Sequence, residues 1–144
     1  MGNPSVLVWF DDLIIRGRDS LFNRILFIYT NYFILSDKAD EKAIHVLLKR
    51  EDKLVAYTRI VPHTDQVHIS FGRVLVVKEY RKHELGRKVV QATLNQIQKQ
   101  FPAKEIKIQA QSYLQNFYSS FGFSPVSDVY LEDNIPHLDM ILKK

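Results

Sequence analysis

A chain of 144 residues, 46% hydrophobic and 12% aromatic, can bury a core as one domain spanning 1–144, and with no cysteine it has neither disulfides nor thiolate chemistry. The net charge of +4 is uneven: residues 78–107 hold eight Lys/Arg against three acidic residues, whereas residues 108–142 hold four acidic residues and no Lys or Arg. The opening "MGNPSVLVWFDD" has no secretory pattern and no apolar run nears the ~20 residues that span a bilayer, so a cytoplasmic protein without membrane contact is expected.

In chain order, "VLVWF" (6–10) reads as a strand, and Asp19-Ser20 caps a helix on which Leu21, Ile25, Ile28 and Tyr29 recur at helical spacing. "AIHVLL" (43–48) and "LVAYTRIV" (54–61) are strands joined through "KRED", and "HISFGRVLVV" (68–77) is the next. From Glu84 to Phe101 the period turns helical, with Leu85, Val89, Ala92, Leu94, Ile97 and Phe101 gathered on one face, and Pro102 stops it. "EIKIQA" (105–110) is a strand, and "SYLQNFYSSF" (112–121) is a short helix closed by Gly122. "PVSDVYL" and "HLDMIL" are two final strands around "EDN", where Asn134 suits a positive φ. An antiparallel meander followed by strand, helix, strand, helix implies an α/β fold with a mixed central sheet flanked by helices.

The stretch "RVLVVKEYRKHELGRKVV" ends a buried strand in a basic, glycine-bearing helix start. A helix N-terminus offers unpaired amides and partial positive charge, and Arg81, Lys82, Arg87 and Lys88 surround Gly86, so phosphate is the natural occupant. The other reading of such a cluster is a solvated basic face.

What flanks it carries a resemblance. "GRVLVV" with "YRKHELG" resembles the acyl-CoA loop of the GNAT superfamily of N-acetyltransferases, written R/Q-x-x-G-x-G/A after a V-x-V strand. "QSYLQNFYSSFGF" (111–123) is similar to the superfamily's N-x-x-A-x-x-x-Y-x-x-x-G-F helix, with Gln111 in place of Asn, Leu114 in place of Ala, and Tyr118, Gly122 and Phe123 matching directly. "AQSYLQNFYSSFGF…VYLEDNIPHLDM" resembles the ElaA-like branch, as do "LVAYTRI" and Arg73, over about residues 43 to 142. There are three departures. Glu84 stands where the phosphate loop has its first glycine, Asn134 replaces the glycine of E-D-G, and the branch's E-Q-x-x-P-Y segment before His45 is missing.

The resemblance implies a GNAT-like sheet and direct transfer of an acetyl group from acetyl-CoA, as co-substrate, to an amine. It assigns the thioester carbonyl to a backbone donor, Val76, within Val74, Leu75 and Val76. It assigns the diphosphate to Arg81 and to the amides of Lys82, His83, Glu84, Leu85, Gly86 and Arg87, and makes Gln111, at the other hallmark, a further coenzyme-binding residue. Tyr118 would protonate the departing thiolate, and His137 and Glu132 are the candidate bases for the amine.

No metal is expected, because His45, His63, His68 and His83 lack ligand spacing. The acidic final third suggests a cationic acceptor, either a small molecule or a peptide amine. The alternative is an acyl-CoA-binding module of the same fold with weak or no turnover. Nucleic acid is not expected, since the basic patch lacks interleaved aromatics. A monomer or a homodimer is expected.

Overall fold

The computed structural model describes residues 5–10, 43–50, 53–77 and 84–143; the helix expected after Asp19-Ser20 and the basic residues Arg81, Lys82 and His83 lie outside them. Four strands come first: β1 (Ser5–Phe10), β2 (Ile44–Arg50), β3 (Lys53–Pro62) and β4 (Ile69–Val76). The helix α1 (Leu85–Gln100) leads to β5 (Ile106–Gln111), a 3₁₀ turn (Ser112–Leu114) and the short helix α2 (Gln115–Ser119). The chain closes with β6 (Ser124–Pro125), β7 (Tyr130–Glu132) and β8 (Ile135–Leu142). Among the described residues no helix is long and apolar enough to cross a membrane.

These strands form one mixed sheet in the order β1-β2-β3-β4-β5-β8-β6, with β7 also on β8. β1 to β4 are an antiparallel meander, α1 carries the chain across to β5 in parallel with β4, and β8 returns antiparallel to β5. The expected run 125–131 is not one strand. Its two ends, β6 and β7, pair with β8, and between them the Ser127 hydroxyl accepts from the Asp139 amide at 2.8 Å where a ladder carbonyl would stand. The two-residue turn Asp133-Asn134 puts both residues at positive φ, 53° and 62°, the geometry that a tight hairpin demands.

Strand alternation sorts the sheet into two faces. Val46, Leu48, Ala56, Ile60, Ile69, Phe71, Ile108, Ala110, Leu138 and Met140 form one core with Leu85, Val89, Val90 and Ile97 of α1. The hydroxyls buried there are satisfied: Thr93 donates to the Val89 carbonyl at 2.6 Å, which leaves Thr58 as donor to Thr93 at 2.5 Å. The alternate residues His45, Leu47 and Tyr57 are buried on the opposite face, where His45 Nδ1 and the Tyr57 hydroxyl share a hydrogen bond of 2.5 Å.

The β3–β4 connection is pinned by Asp65. Its carboxylate accepts from the amides of Val67 and His68 at 2.9 and 3.0 Å, and its other oxygen meets His68 Nδ1 at 2.6 Å. The His68 amide is the largest cause holding the carboxyl well below the usual carboxylate range. A depressed folded value contributes stability above the unfolded value of 3.8, lost as pH falls below it. Asp65→Asn is therefore expected to lower the thermal midpoint at pH 7. The gap from wild type should narrow as acid titration passes below about pH 4, checked by melts across pH.

Candidate active site at the parted strands

Two neighbouring strands of this sheet barely touch. β4 and β5 share one register pair, Ile69 with Ile106, where the Ile69 amide donates to the Glu105 carbonyl at 3.1 Å. Beyond it each strand is held from its far side. β5 pairs with β8 along its whole length, from Ile106↔Leu142 to Gln111↔His137. β4 stays on β3 as far as Val76, with the Val77 amide donating to the Val55 carbonyl at 2.9 Å.

A bulge further along β4 widens the parting. Between the pairs Arg59↔Gly72 and Tyr57↔Leu75, Thr58 of β3 opposes both Arg73 and Val74 of β4, and Arg73 takes φ 51°. An extra residue on one strand bends it and strengthens its twist, which turns the end of β4 away from β5. Since Val77 points its amide at β3, alternation turns the Val76 amide toward the edge that β5 has left.

The first turn of α1 sits against that strand end: a Cβ placed on Gly86 would have, among the described residues, only Val76 Cγ2 within contact range, at 3.9 Å. The first helical bond runs from the Lys88 amide to the Glu84 carbonyl at 3.1 Å, so the amides of Leu85, Gly86 and Arg87 precede the ladder. Leu85 is a buried core side chain and offers this edge only its amide. Among the described residues no side chain caps the helix, and its first turn holds no acidic residue. Glu84 is the N-cap, exposed and left-handed at φ 57° and ψ 21°. That backbone explains why a glycine belongs at this position, and the exposed carboxylate makes no capping bond back into the turn. Among the described residues, a helix start without a side-chain cap and with only Val76 near its glycine fits a diphosphate.

Tyr118 lies on the same face as α1. Its ring packs on Phe71 of β4 at 6.3 Å, on Phe117 at 5.1 Å and on Phe123 at 6.0 Å between centroids. It is 5% exposed, and burial, then the charge of Tyr113, push its hydroxyl up to about 12. Gly122 ends this segment at φ 103°, where its amide reaches the Ser119 carbonyl at 2.9 Å and an added Cβ would stand 3.0 Å from Leu142 Cδ1.

His137 lies on the other face. Leu138 and Met140 point into the core, so His137 and Asp139 of β8 point away from it, beside Gln109 and Gln111 of β5. His137 is in register with Gln111, the last residue of β5, and its ring stacks on Tyr130 at 6.3 Å and 20°. Its Nδ1 donates to the Ile135 carbonyl at 2.7 Å, so the neutral ring carries its lone pair on Nε2. Tyr130 in turn donates to Asp139 Oδ1 at 2.5 Å; burial first, and then that bond, raise its hydroxyl well beyond the ordinary phenol range. Glu132 is exposed at the end of β7, on the hairpin that overhangs the end of β5.

Sheet geometry thus brings together Val76 and Gly86, Gln111 and His137, and sets Tyr118 and His137 on opposite faces. The sequence reading missed the buried His45–Tyr57 pair and the Tyr130–Asp139 bond. Both join residues on different strands, and only the alternation in "AIHVLL" and "LVAYTRIV" hinted that His45 and Tyr57 share a face.

The Acetyltransferase (GNAT) domain family matches residues 30–144. The chain belongs to the GNAT acetyltransferases. Within them it lies in the ElaA-like branch: it is 42% identical over 97 residues to protein ElaA of Escherichia coli, a match covering 67% of this chain and 63% of ElaA. The chain thus spans less than two thirds of that relative's length in sequence alignment. The crystal structure of Escherichia coli ElaA superposes with a TM-score of 0.80 at 29% identity, over 97% of this chain and 99% of that one. A UPF0039 protein of Schizosaccharomyces pombe is 36% identical over 129 residues, 83% of this chain and 85% of that protein. An acyl-CoA N-acyltransferase of Pseudomonas aeruginosa shares the fold, with a TM-score of 0.81 at 24% identity over 97% of this chain and 99% of that one. The expected GNAT fold and branch are both borne out.

The left-handed backbone at Glu84 gives a test of the GNAT loop. Glu84→Gly is expected to raise stability by about 1 kcal/mol, because only glycine adopts that conformation without strain. It should also tighten coenzyme A in a calorimetric titration. An unchanged melt would show that the residue is unstrained.

Proposed function

We propose that this protein is an acetyl-CoA-dependent N-acetyltransferase acting on a primary amine, in which the amine attacks the thioester directly with no covalent enzyme intermediate. The observation that carries the reading is the pair Tyr118 and His137, on opposite faces of a sheet whose β4 and β5 part between them. Acetyl-CoA supplies the acetyl group, activated as a thioester. The amides of residues 82–87 and Arg81 hold its diphosphate, and the Glu84 side chain makes no capping bond on α1 that would compete. The Val76 amide, turned to the parted edge, donates to the carbonyl oxygen as negative charge develops there.

An amine arriving on the polar face meets Gln111 and His137. His137 Nε2 takes the amine proton, directly or through Glu132 at the hairpin tip, as the N–C bond forms. Tyr118 gives its phenolic proton to the sulfur as the C–S bond breaks. Burial keeps Tyr118 protonated through the physiological range, which is the form a donor needs. The carboxylates among residues 108–142 and the exposed Glu132 support a cationic acceptor, a small molecule or a peptide amine. A cytoplasmic location, where the soluble thioester is available, fits this chemistry. One observation favours the second reading, a coenzyme binder with little turnover: the Glu84 carboxylate beside the helix start.

Acetyl transfer to a panel of amines, read as free thiol, separates the two readings. Tyr118→Phe should lower kcat by about 10²–10³ while acetyl-CoA still binds. In wild type the donor is active below its own pKa, so the value of about 12 predicts no loss of rate from Tyr118 deprotonation until roughly pH 11. An alkaline limb near pH 9 that vanishes in Tyr118→Phe would contradict this. His137→Gln should lower kcat by about a hundredfold, with partial rescue by added imidazole. Wild-type binding of acetyl-CoA without transfer to any amine would favour the binder.

A further inference from the structure

Arg87 looks, from its position, like a phosphate ligand. It is exposed in the first turn of α1, beside Gly86, where a cation gains nothing from the helix dipole. Its side chain is engaged elsewhere. Nη2 donates to the Ser120 hydroxyl at 2.8 Å, and that hydroxyl donates on to the Phe117 carbonyl at 2.5 Å. The guanidinium lies over the Phe121 ring, 4.7 Å from its centroid, and 5.6 Å from that of Phe117. Those two rings meet edge to face at 5.3 Å, and Phe117 meets Tyr118 in the same way at 5.1 Å.

We propose that Arg87 is a positioning residue that clamps the Tyr118 segment to the first turn of α1, so that the diphosphate cradle and the proton donor move as one body. The proposal rests on the reading of Tyr118 as the acid. A helix as short as α2, five residues, has no cooperative stability of its own, and its orientation is set by what it packs against. One side of it is fixed by Tyr118 on Phe71 and Phe123. The other side is fixed by Arg87, through two rings and one hydroxyl that bracket Tyr118 in sequence. A planar guanidinium can stack and donate at once, which an ammonium cannot. The amide of Arg87 stays available to the cradle while its side chain holds α2.

The test separates clamp from phosphate ligand. For a clamp, Arg87→Ala lowers kcat about tenfold, leaves KM and Kd for acetyl-CoA within about twofold, and Arg87→Lys does not restore kcat. Ser120→Ala shifts kcat in the same direction by less. If instead Arg87→Ala raises Kd for acetyl-CoA tenfold with kcat kept, and Arg87→Lys recovers it, Arg87 belongs to the diphosphate and the proposal falls. The clamp also has a readout that needs no turnover. With ring-labelled Tyr118, Arg87→Ala shifts the Tyr118 resonances while leaving those of labelled Val89 and Val90 in place; unchanged Tyr118 resonances overturn the clamp. If wild type transfers no acetyl group, the catalytic reading fails, and this spectrum still decides the clamp.

Discussion

The site depends on one constraint, the ladder between β4 and β5 that stops at Ile69 and Ile106, beyond which the bulge at Arg73 and Val74 adds twist to β4. A continuous parallel pair would use the amides of both strands and close the sheet between its faces. With only Ile69 and Ile106 paired, the amide of Val76 faces the edge of β4 that β5 has left. The cost of a left-handed arginine is borne by strands that are each held fast on their other side: β4 by β3, and β5 by β8.

The two faces then differ in chemistry because of strand alternation. On the α1 side the residues at the opening are apolar and packed, and Tyr118 is the phenol among them, kept protonated by burial. On the other side Gln109, Gln111, His137 and Asp139 line β5 and β8, with Tyr130 stacked on the histidine. A reaction that needs a proton donor for sulfur and an acceptor for an amine is served by such a division. Each group keeps its own environment, and the two do not neutralise one another by direct contact.

Helix α1 couples the two hallmarks that the sequence keeps about 25 residues apart. Its first turn abuts Val76 through Gly86 and grips the Tyr118 segment through Arg87. Glu84 sits at the hinge between strand and helix in a backbone conformation that prefers glycine, with its carboxylate exposed. Arg87 carries a lesson about basic clusters near helix starts. Position alone suggests a phosphate ligand, whereas the side chain spends its charge on two aromatic rings and a hydroxyl.

By itself the sequence determined the elements and the family. Period-two runs such as "LVAYTRIV" and the helical stripe Leu85, Val89, Ile97 are local consequences of which side chains must leave water. Hallmarks such as Tyr118-x-x-x-Gly122-Phe123 are local as well, because a helix and its glycine cap are built from neighbours. The split of 125–131 into β6 and β7 was not legible, since it depends on Ser127 meeting the amide of Asp139 on another strand. Tertiary structure alone decided that β4 and β5 part, that Tyr118 and His137 fall on opposite faces, and that Arg87 turns to Phe121. Each of these is a relation between residues distant in sequence, fixed by register and packing, for which one-dimensional spacing carries no signal.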